Sequence, residues 1–318
     1  MKRNLLYTLA FVLTLSLLAA CNKPSAPAKT PAPTDGNGRE TTLTITHELG
    51  SATVQANPRK IAVFDMGTLD IINELGAKAQ IAVPNDAITS WLSRYQNGID
   101  IGGIKEPDLE SLYTFRPDII FISGRQRAYY PELAKIAPTV YTQIDPAHYM
   151  DGLEKNVTDL GRIFGRETVA AQKMADLKKR IADAKAIAAN HEARALILLT
   201  NDGSMSAYGK GSRFGLIHDV LGIREADENI KVSIHGQEVG YEYIAKIDPD
   251  IIYVVDRTAV VGGTKFASAT LDNALVNRTK AARNGKIITM DAEAWYLTAG
   301  GLAATGRMID DALAGLKK

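Results

Sequence analysis

One stretch of this sequence occurs twice. Glu110…Arg116-Pro117-Asp118-Ile119-Ile120-Phe121 returns as Glu242…Asp248-Pro249-Asp250-Ile251-Ile252-Tyr253, with glutamate and proline at the same separation in both copies. In each copy a short helix ends near the proline, which cannot continue it, and an apolar strand follows. The next loop is basic both times, with Arg125 and Arg127 in the first copy and Arg257 in the second. A single Pro-Asp-Ile-Ile is easily coincidental. A matched glutamate, proline, strand and basic loop indicate two related lobes, and 318 residues suffice for two ordinary domains.

The pattern around the repeat is that of α/β layering. Thr42–His47 and Ala52–Gln55 alternate about Gly50-Ser51 and read as a hairpin. Ile61–Phe64 is a short apolar strand, and Thr68–Leu75 has helical spacing that stops at Gly76. Further strands are expected at Ile119–Ile122, Val140-Tyr141 and Lys286–Met290. Residues 150–192 contain no proline and place Leu153, Val157, Leu160, Ile163 and Phe164, then Val169, Met174, Leu177 and Ile181, at helical intervals, with Gly161 and Gly165 as candidate breaks. The expected organisation is an N-terminal α/β lobe over 42–149, a spacer helix over 150–192 and a C-terminal α/β lobe over 193–318. The apolar repeat of the spacer is too short to favour a coiled-coil arm.

The N-terminus carries a different message. Lys2 and Arg3 precede an apolar run, Leu5–Leu18, that ends in Leu18-Ala19-Ala20-Cys21. The run is of signal-peptide length and short for a membrane span. Small residues before a cysteine resemble the bacterial lipobox, which makes 1–20 a lipoprotein signal peptide and Cys21 the lipid-bearing first residue of the mature chain. Residues 21–41, rich in Pro, Ala, Thr and Gly, suit a solvated tether. Cys21 is the single cysteine, so an intramolecular disulfide and a cysteine-based metal cluster are excluded. A formal net charge of +1 gives no global basic field, which argues against nucleic acid.

Residues able to do chemistry fall in loops after strands, where α/β folds place ligands. Ser123-Gly124-Arg125-Gln126-Arg127-Ala128-Tyr129-Tyr130 combines guanidinium groups and aromatic faces, which suits a large planar anion. Tyr208-Gly209-Lys210-Gly211-Ser212-Arg213-Phe214-Gly215 superficially resembles a phosphate-binding loop. Its spacing fits neither usual pattern, and it reads as a tight turn presenting Arg213 at the start of a helix over Phe214–Leu221. Such a helix start adds its own attraction for anions. Ser233-Ile234-His235-Gly236-Gln237 holds one histidine beside a glycine, and Trp295-Tyr296 occupies another terminal loop. No nucleophile elbow, HExxH or mature-chain cysteine nucleophile is present, and the five histidines have no metal-ligand spacing, so an envelope enzyme is a poor fit.

Taken in order, the lipobox, SGRQ, GSRFG, SIHGQ, VVDR and WY are similar to ferric-siderophore-binding lipoproteins of ABC importers, within the helical-backbone periplasmic binding proteins. Among these the chain resembles the catecholate group, of enterobactin and petrobactin type, over about residues 42 to 318. The resemblance implies two Rossmann-like α/β lobes joined by a long backbone helix, the class III periplasmic binding protein fold, and a monomeric binder that is not an enzyme. It implies that Arg125, Arg213 and Arg257 form an arginine triad aimed at an anionic ferric centre, with Arg127, Tyr129 and Trp295 as further siderophore-binding residues. His235 and Tyr296 match residues that complete iron coordination when the siderophore is tetradentate. No permanently bound cofactor is implied; iron arrives as the ferric siderophore complex. Partners would be an ABC permease and its ATPase, docked through Glu110 and Glu242, and a membrane reached through the lipid on Cys21. The chain would then sit lipid-anchored in the cell envelope, facing the periplasm or the outside of a cytoplasmic membrane. Haem, cobalamin or a hydroxamate siderophore on the same scaffold is the alternative cargo. A triad of cations is also expected to repel itself in an empty cleft.

Overall fold

The computed structural model describes residues 41–317. The signal peptide, Cys21 and nearly all of the tether lie outside the described residues. Two antiparallel strands come first, β1 (Thr42–His47) and β2 (Gly50–Gln55), paired as the expected hairpin. The first lobe continues with β3 (Lys60–Val63), α1 (Met66–Glu74), β4 (Gln80–Val83), β5 (Ile99–Asp100), α2 (Leu109–Phe115), β6 (Ile119–Ile122), α3 (Tyr130–Ile136) and β7 (Thr139–Tyr141). Its sheet is wholly parallel, in the order β5-β4-β3-β6-β7.

The spacer is two helices, α4 (Tyr149–Ile163) and α5 (Glu167–Ala188), where the sequence suggested one over 150–192. The cause is local. Gly165 adopts φ +60°, the left-handed conformation that ends a helix. Gly161 has a separate use: a Cβ there would come within 2.7 Å of the Ala170 methyl, so its bare backbone lets α5 cross close over α4.

The second lobe comprises β8 (Arg194–Asn201), β9 (Ser204–Tyr208), β10 (Arg224–Glu225), β11 (Gln237–Glu238), α6 (Tyr241–Ile247), β12 (Ile251–Asp256), the short turns α7 (Thr258–Val261), α8 (Ala267–Leu271) and α9 (Lys280–Arg283), β13 (Ile287–Thr289) and α10 (Leu302–Leu316). Its sheet runs β11-β9-β8-β12-β13, with β10 also paired to β8. The β8, β10, β12 and β13 pairings are parallel, while β9 is antiparallel to β8 and to β11. The second lobe is therefore a mixed sheet, because the tight turn at Asn201–Ser204 folds β9 straight back on β8.

The repeated segments are one structural device used twice. α2 ends at Arg116 (φ +55°) and α6 at Asp248 (φ +46°), both left-handed caps directly before the proline. The following aspartate then turns back. Asp118 Oδ2 accepts from the Arg59 and Lys60 amides at 2.7 and 2.9 Å, and Asp250 Oδ2 accepts from the Arg194 amide at 2.9 Å. Each aspartate thus satisfies the backbone where the adjacent parallel strand begins. β6 and β12 are buried along their whole length, as befits strands covered on both faces. Alternate side chains serve different cores: Ile119 and Phe121 join Ile251, Tyr253 and Val255 in a large core shared with α4, α5 and α10. Ile120 and Ile122 face an outer core of the first lobe, and Ile252 and Val254 that of the second.

The lobes also meet at a polar joint beside α1. Asp70, fully buried on α1, accepts from Trp91 Nε1 at 2.8 Å through Oδ1. Its Oδ2 accepts from the Ala303 amide at 2.8 Å, at the first turn of α10, where a carboxylate suits both the free amides and the helix dipole. One turn earlier on α1, a Cβ on Gly67 would fall 2.8 Å from the Ala299 carbonyl oxygen. Tyr149 closes the joint from α4. Its hydroxyl accepts from the Gly300 amide at 3.1 Å and lies 2.7 Å from Thr305 Oγ1. Residues 299–305 of the second lobe are thus pinned by the first lobe and the spacer.

Candidate functional site

The pinned segment begins three residues after Tyr296, and Tyr296 is where the arginines converge. It sits in a π-helical turn, Glu293–Leu297, following β13, a wide turn common at functional sites. Its carbonyl oxygen accepts from Arg125 Nη2 at 2.8 Å and from Arg213 Nη2 at 3.3 Å. Its hydroxyl accepts from Arg257 Nε at 2.8 Å. The three guanidinium carbons stand 5.8, 4.4 and 5.5 Å from the ring centroid for Arg125, Arg213 and Arg257, within cation–π range. Arg125 comes from the first lobe and the other two from the second, as the family resemblance implied.

Each arginine is set by its own loop. Arg125 follows β6 in a tight turn, Gly124–Tyr129. There the Ser123 amide donates to Gln126 Oε1 at 3.0 Å, and the Gly124 amide donates to Gln143 Oε1 at 3.0 Å. Arg213 stands over Phe214, which packs edge-on against Tyr208 at 4.7 Å between ring centroids. Arg257 directly follows β12, and its Nη1 donates to Asn201 Oδ1 at the end of β8. That contact escaped the sequence reading, although Asn201-Asp202-Gly203 between two apolar runs is a hairpin signal.

Opposing effects act on the acidity of Tyr296. Burial alone pushes its phenol up, but the Arg257 hydrogen bond and the charges of Arg213, Arg257 and Arg125 outweigh it. The phenol is held below its ordinary value. Arg213 is itself lowered, mainly by burial and further by the charge of Arg125, while Tyr296 works the other way. The expected self-repulsion of the triad is therefore tempered, because one residue offers all three cations a carbonyl, a ring face and a hydroxyl.

The loop Tyr208–Gly215 is not a phosphate cradle. Its amides are already occupied: Lys210 N donates to Glu225 Oε1 at 2.9 Å and Gly211 N to Asp219 Oδ2 at 2.7 Å. The helix expected over Phe214–Leu221 is only a π-helical turn, Leu216–Val220. The Asp219 carboxylate lies against Gly215, 2.3 Å from where its Cβ would stand, and takes the place an anion would have used. Arg213 acts here through its side chain.

The remaining expected residues divide. Trp295 is corrected: it is fully buried, its Nε1 donates to Asp311 Oδ2 at 2.9 Å, and its ring packs on Phe214. It supports the turn from below and has no face to offer a ligand. Arg127 is committed elsewhere, its Nη1 donating to Glu48 Oε1 at 2.6 Å and to the Tyr141 hydroxyl at 3.2 Å. Its charge is balanced on the hairpin side of the lobe, apart from the triad. Tyr129 packs half-buried on the outer core of the first lobe. His235 is exposed in the loop before β11. Next to it, Gly236 (φ +73°) lies so close to Tyr208 that a Cβ would fall 2.7 Å from its ring, which places the histidine's loop against the aromatic wall behind Arg213. Among the described residues no group of three His, Cys, Asp or Glu could hold a metal ion. Glu110 and Glu242 are both exposed at the second residue of their helices, α2 and α6.

Comparison with known proteins supports one assignment. The periplasmic binding protein family matches residues 61–294. The petrobactin-binding protein YclQ of Bacillus subtilis is 37% identical over the full length of both chains. Its crystal structure superposes with a TM-score of 0.85, at 38% identity, covering 87% of this chain and 99% of that one. The ferric-anguibactin-binding protein FatB of Vibrio anguillarum is 36% identical over 87% of this chain and 88% of its own. The catecholate-siderophore-binding protein VctP of Vibrio cholerae superposes with a TM-score of 0.81, at 31% identity, covering 86% and 99%. With the family match covering most of the chain and relatives of this identity along its length, this chain belongs to the periplasmic binding protein family.

Proposed function

We propose that this chain is the substrate-binding lipoprotein of an ABC importer, capturing a ferric siderophore of catecholate type and delivering it to an inner-membrane permease for iron uptake. The observation that carries this is the convergence of Arg125, Arg213 and Arg257, from both lobes, around one tyrosine. A ferric tris-catecholate is trianionic. Three guanidinium groups match its charge, and their planar donor forks suit catecholate oxygens. In a cleft of lowered dielectric each such pairing is worth on the order of 1–3 kcal/mol. A hydroxamate complex carries less negative charge and would waste the triad. The relatives' named ligands, petrobactin, anguibactin and catecholate siderophores, support the same cargo class.

Tyr296 adds a second role. Its lowered phenol is predisposed to ionise, and a phenolate is a hard oxygen donor for ferric iron. With a tetradentate siderophore, Tyr296 and His235 would supply the last two ligands; with a hexadentate one both would serve as pocket wall. Ferric iron is cargo here, and no resident cofactor is proposed.

Delivery rests on the surface. Glu110 and Glu242 hold equivalent places in the two lobes, and each projects from a helix start into solvent. They are proposed as the pair of carboxylates that seats on basic sockets of the permease. The lipid on Cys21 would keep the monomer beside that permease. No helix among the described residues is long and apolar enough to cross a membrane. The decisive experiment is fluorescence quenching of the purified protein with ferric tris-catecholate, ferric bis-catecholate, ferric tris-hydroxamate, haem and cobalamin. Submicromolar binding of a ferric catecholate is expected, and its absence across that class would overturn the reading.

A further inference from the structure

Among the described residues, Asn201 supplies the one side-chain acceptor outside the Tyr296 turn that bonds a triad guanidinium. Arg257 Nη1 donates to its Oδ1 and Arg257 Nε donates to the Tyr296 hydroxyl. These two donors lie on opposite edges of a guanidinium, so the plane is fixed at both sides and Nη2 remains to be aimed by them. The backbone that carries Asn201 is held in turn. It sits at the end of β8, beside a hairpin turn whose Asp202 and Gly203 both have positive φ, +47° and +93°. The same turn grips the chain after Arg257. Asp202 N donates to Thr258 Oγ1 at 2.8 Å, and the Asp202 carboxylate accepts from the Thr264 and Lys265 amides at 3.0 and 2.8 Å. One hairpin therefore holds both the arginine's head and its loop.

Building on the siderophore reading above, we propose that Asn201 is a positioning residue that aims Arg257 at the bound anion and, being uncharged, leaves the full charge of Arg257 available to it. An aspartate would make the same contact and neutralise that charge. An alanine would free the guanidinium to rotate. The residue type thus contributes to selection for highly charged complexes.

The test is a double-mutant cycle on the full mature chain. Asn201→Ala is expected to weaken ferric tris-catecholate binding about tenfold, and Asn201→Asp by roughly a further tenfold. In an Arg257→Ala background Asn201→Ala should change affinity by less than about twofold, since a residue that acts through Arg257 has nothing left to aim. Equal losses in both backgrounds would overturn the proposal. A second arm needs no siderophore. The Arg257 Nε–H resonance, assigned by its disappearance in Arg257→Ala, should exchange faster with solvent in Asn201→Ala. An unchanged exchange rate also overturns the proposal. If ferric tris-catecholate fails to bind the unsubstituted protein, the functional reading falls, and the exchange arm alone decides the role of Asn201.

Discussion

The hydroxyl of Tyr296 accepts a hydrogen bond from Arg257 Nε at 2.8 Å, while its ring lies under all three triad arginines. Removing the hydroxyl separates its two suggested uses. Tyr296→Phe keeps the ring for the cations and deletes the oxygen. Affinity for a ferric bis-catecholate should fall at least roughly tenfold, the scale of one lost charge-assisted bond or more. Affinity for a hexadentate tris-catecholate should fall by less than this, because there only one of the two anchors of Arg257 is lost. The pair of titrations, with the visible charge-transfer band of each ferric complex as a second readout, checks this. Equal losses for both complexes would remove Tyr296 from the iron-ligand role.

The triad itself should act as a charge filter. Arg213→Ala combined with Arg257→Ala removes two cations from the second lobe and leaves Arg125. Binding of a trianionic ferric complex is expected to weaken by on the order of a hundredfold or more. A neutral ferric complex should be far less affected. Calorimetric titration of both with the double variant measures the difference.

Asp70 predicts a pH dependence of stability with an unusual sign for a carboxylate. Burial raises it to about 6, against the opposing bonds from Trp91, Ala303 and Ala304, with Glu74 adding to the rise. The folded state then holds this proton more tightly than the unfolded chain, whose value is near 3.8. Its stabilising contribution is complete below the unfolded value and is lost as pH rises through about 6. The change is on the order of 3 kcal/mol at most. Asp70→Asn keeps an acceptor and removes the titration. Denaturant midpoints of the two proteins should therefore diverge between acid and neutral pH, with the unsubstituted chain gaining relative stability as pH falls. Parallel curves would show that Asp70 does not titrate there.

Gly67 tests the joint sterically. A methyl at this position would meet the Ala299 carbonyl oxygen at 2.8 Å. Gly67→Ala should cost about 1–3 kcal/mol by overpacking. It should also weaken ferric complex binding, because the displaced segment follows Tyr296. Chemical denaturation and ligand titration on one preparation distinguish this from a purely local loss, in which affinity stays constant.

Glu110→Lys with Glu242→Lys reverses both proposed docking charges at exposed helix starts. Iron uptake by cells carrying the double variant should be abolished, while the purified protein keeps its siderophore affinity. A fall in affinity would refute a docking role.

How far the sequence was legible depended on how local each signal was. The left-handed caps at Arg116 and Asp248 precede prolines, and the strands after them are continuously apolar, so the two related lobes could be seen in the residues. The triad was implied by the resemblance to siderophore-binding lipoproteins; the residues alone placed its arginines in separate loops after strands. The break at Gly165 was visible only as a candidate, since a glycine inside a helical pattern can be absorbed or used as a cap. Trp295 misled because a tryptophan beside a ligand-facing tyrosine reads as its companion. In a turn the two side chains point opposite ways, and here one faces the core. Asn201 and Asp70 were not legible at all. Their partners are 56 and 233 residues away, and no periodicity or motif records a contact made by folding.

The joint at Asp70 and Tyr149 bears on how quickly cargo comes and goes. The turn carrying Tyr296 is fastened to the first lobe through residues 299–305, so Arg125 and Tyr296 hold their spacing before any complex arrives. Little conformational freedom remains to be lost on capture, and encounter can proceed near the rate for a preformed site. On the proposed reading residence time would be long, and emptying the site would call for the contacts at residues 299–305 to give way.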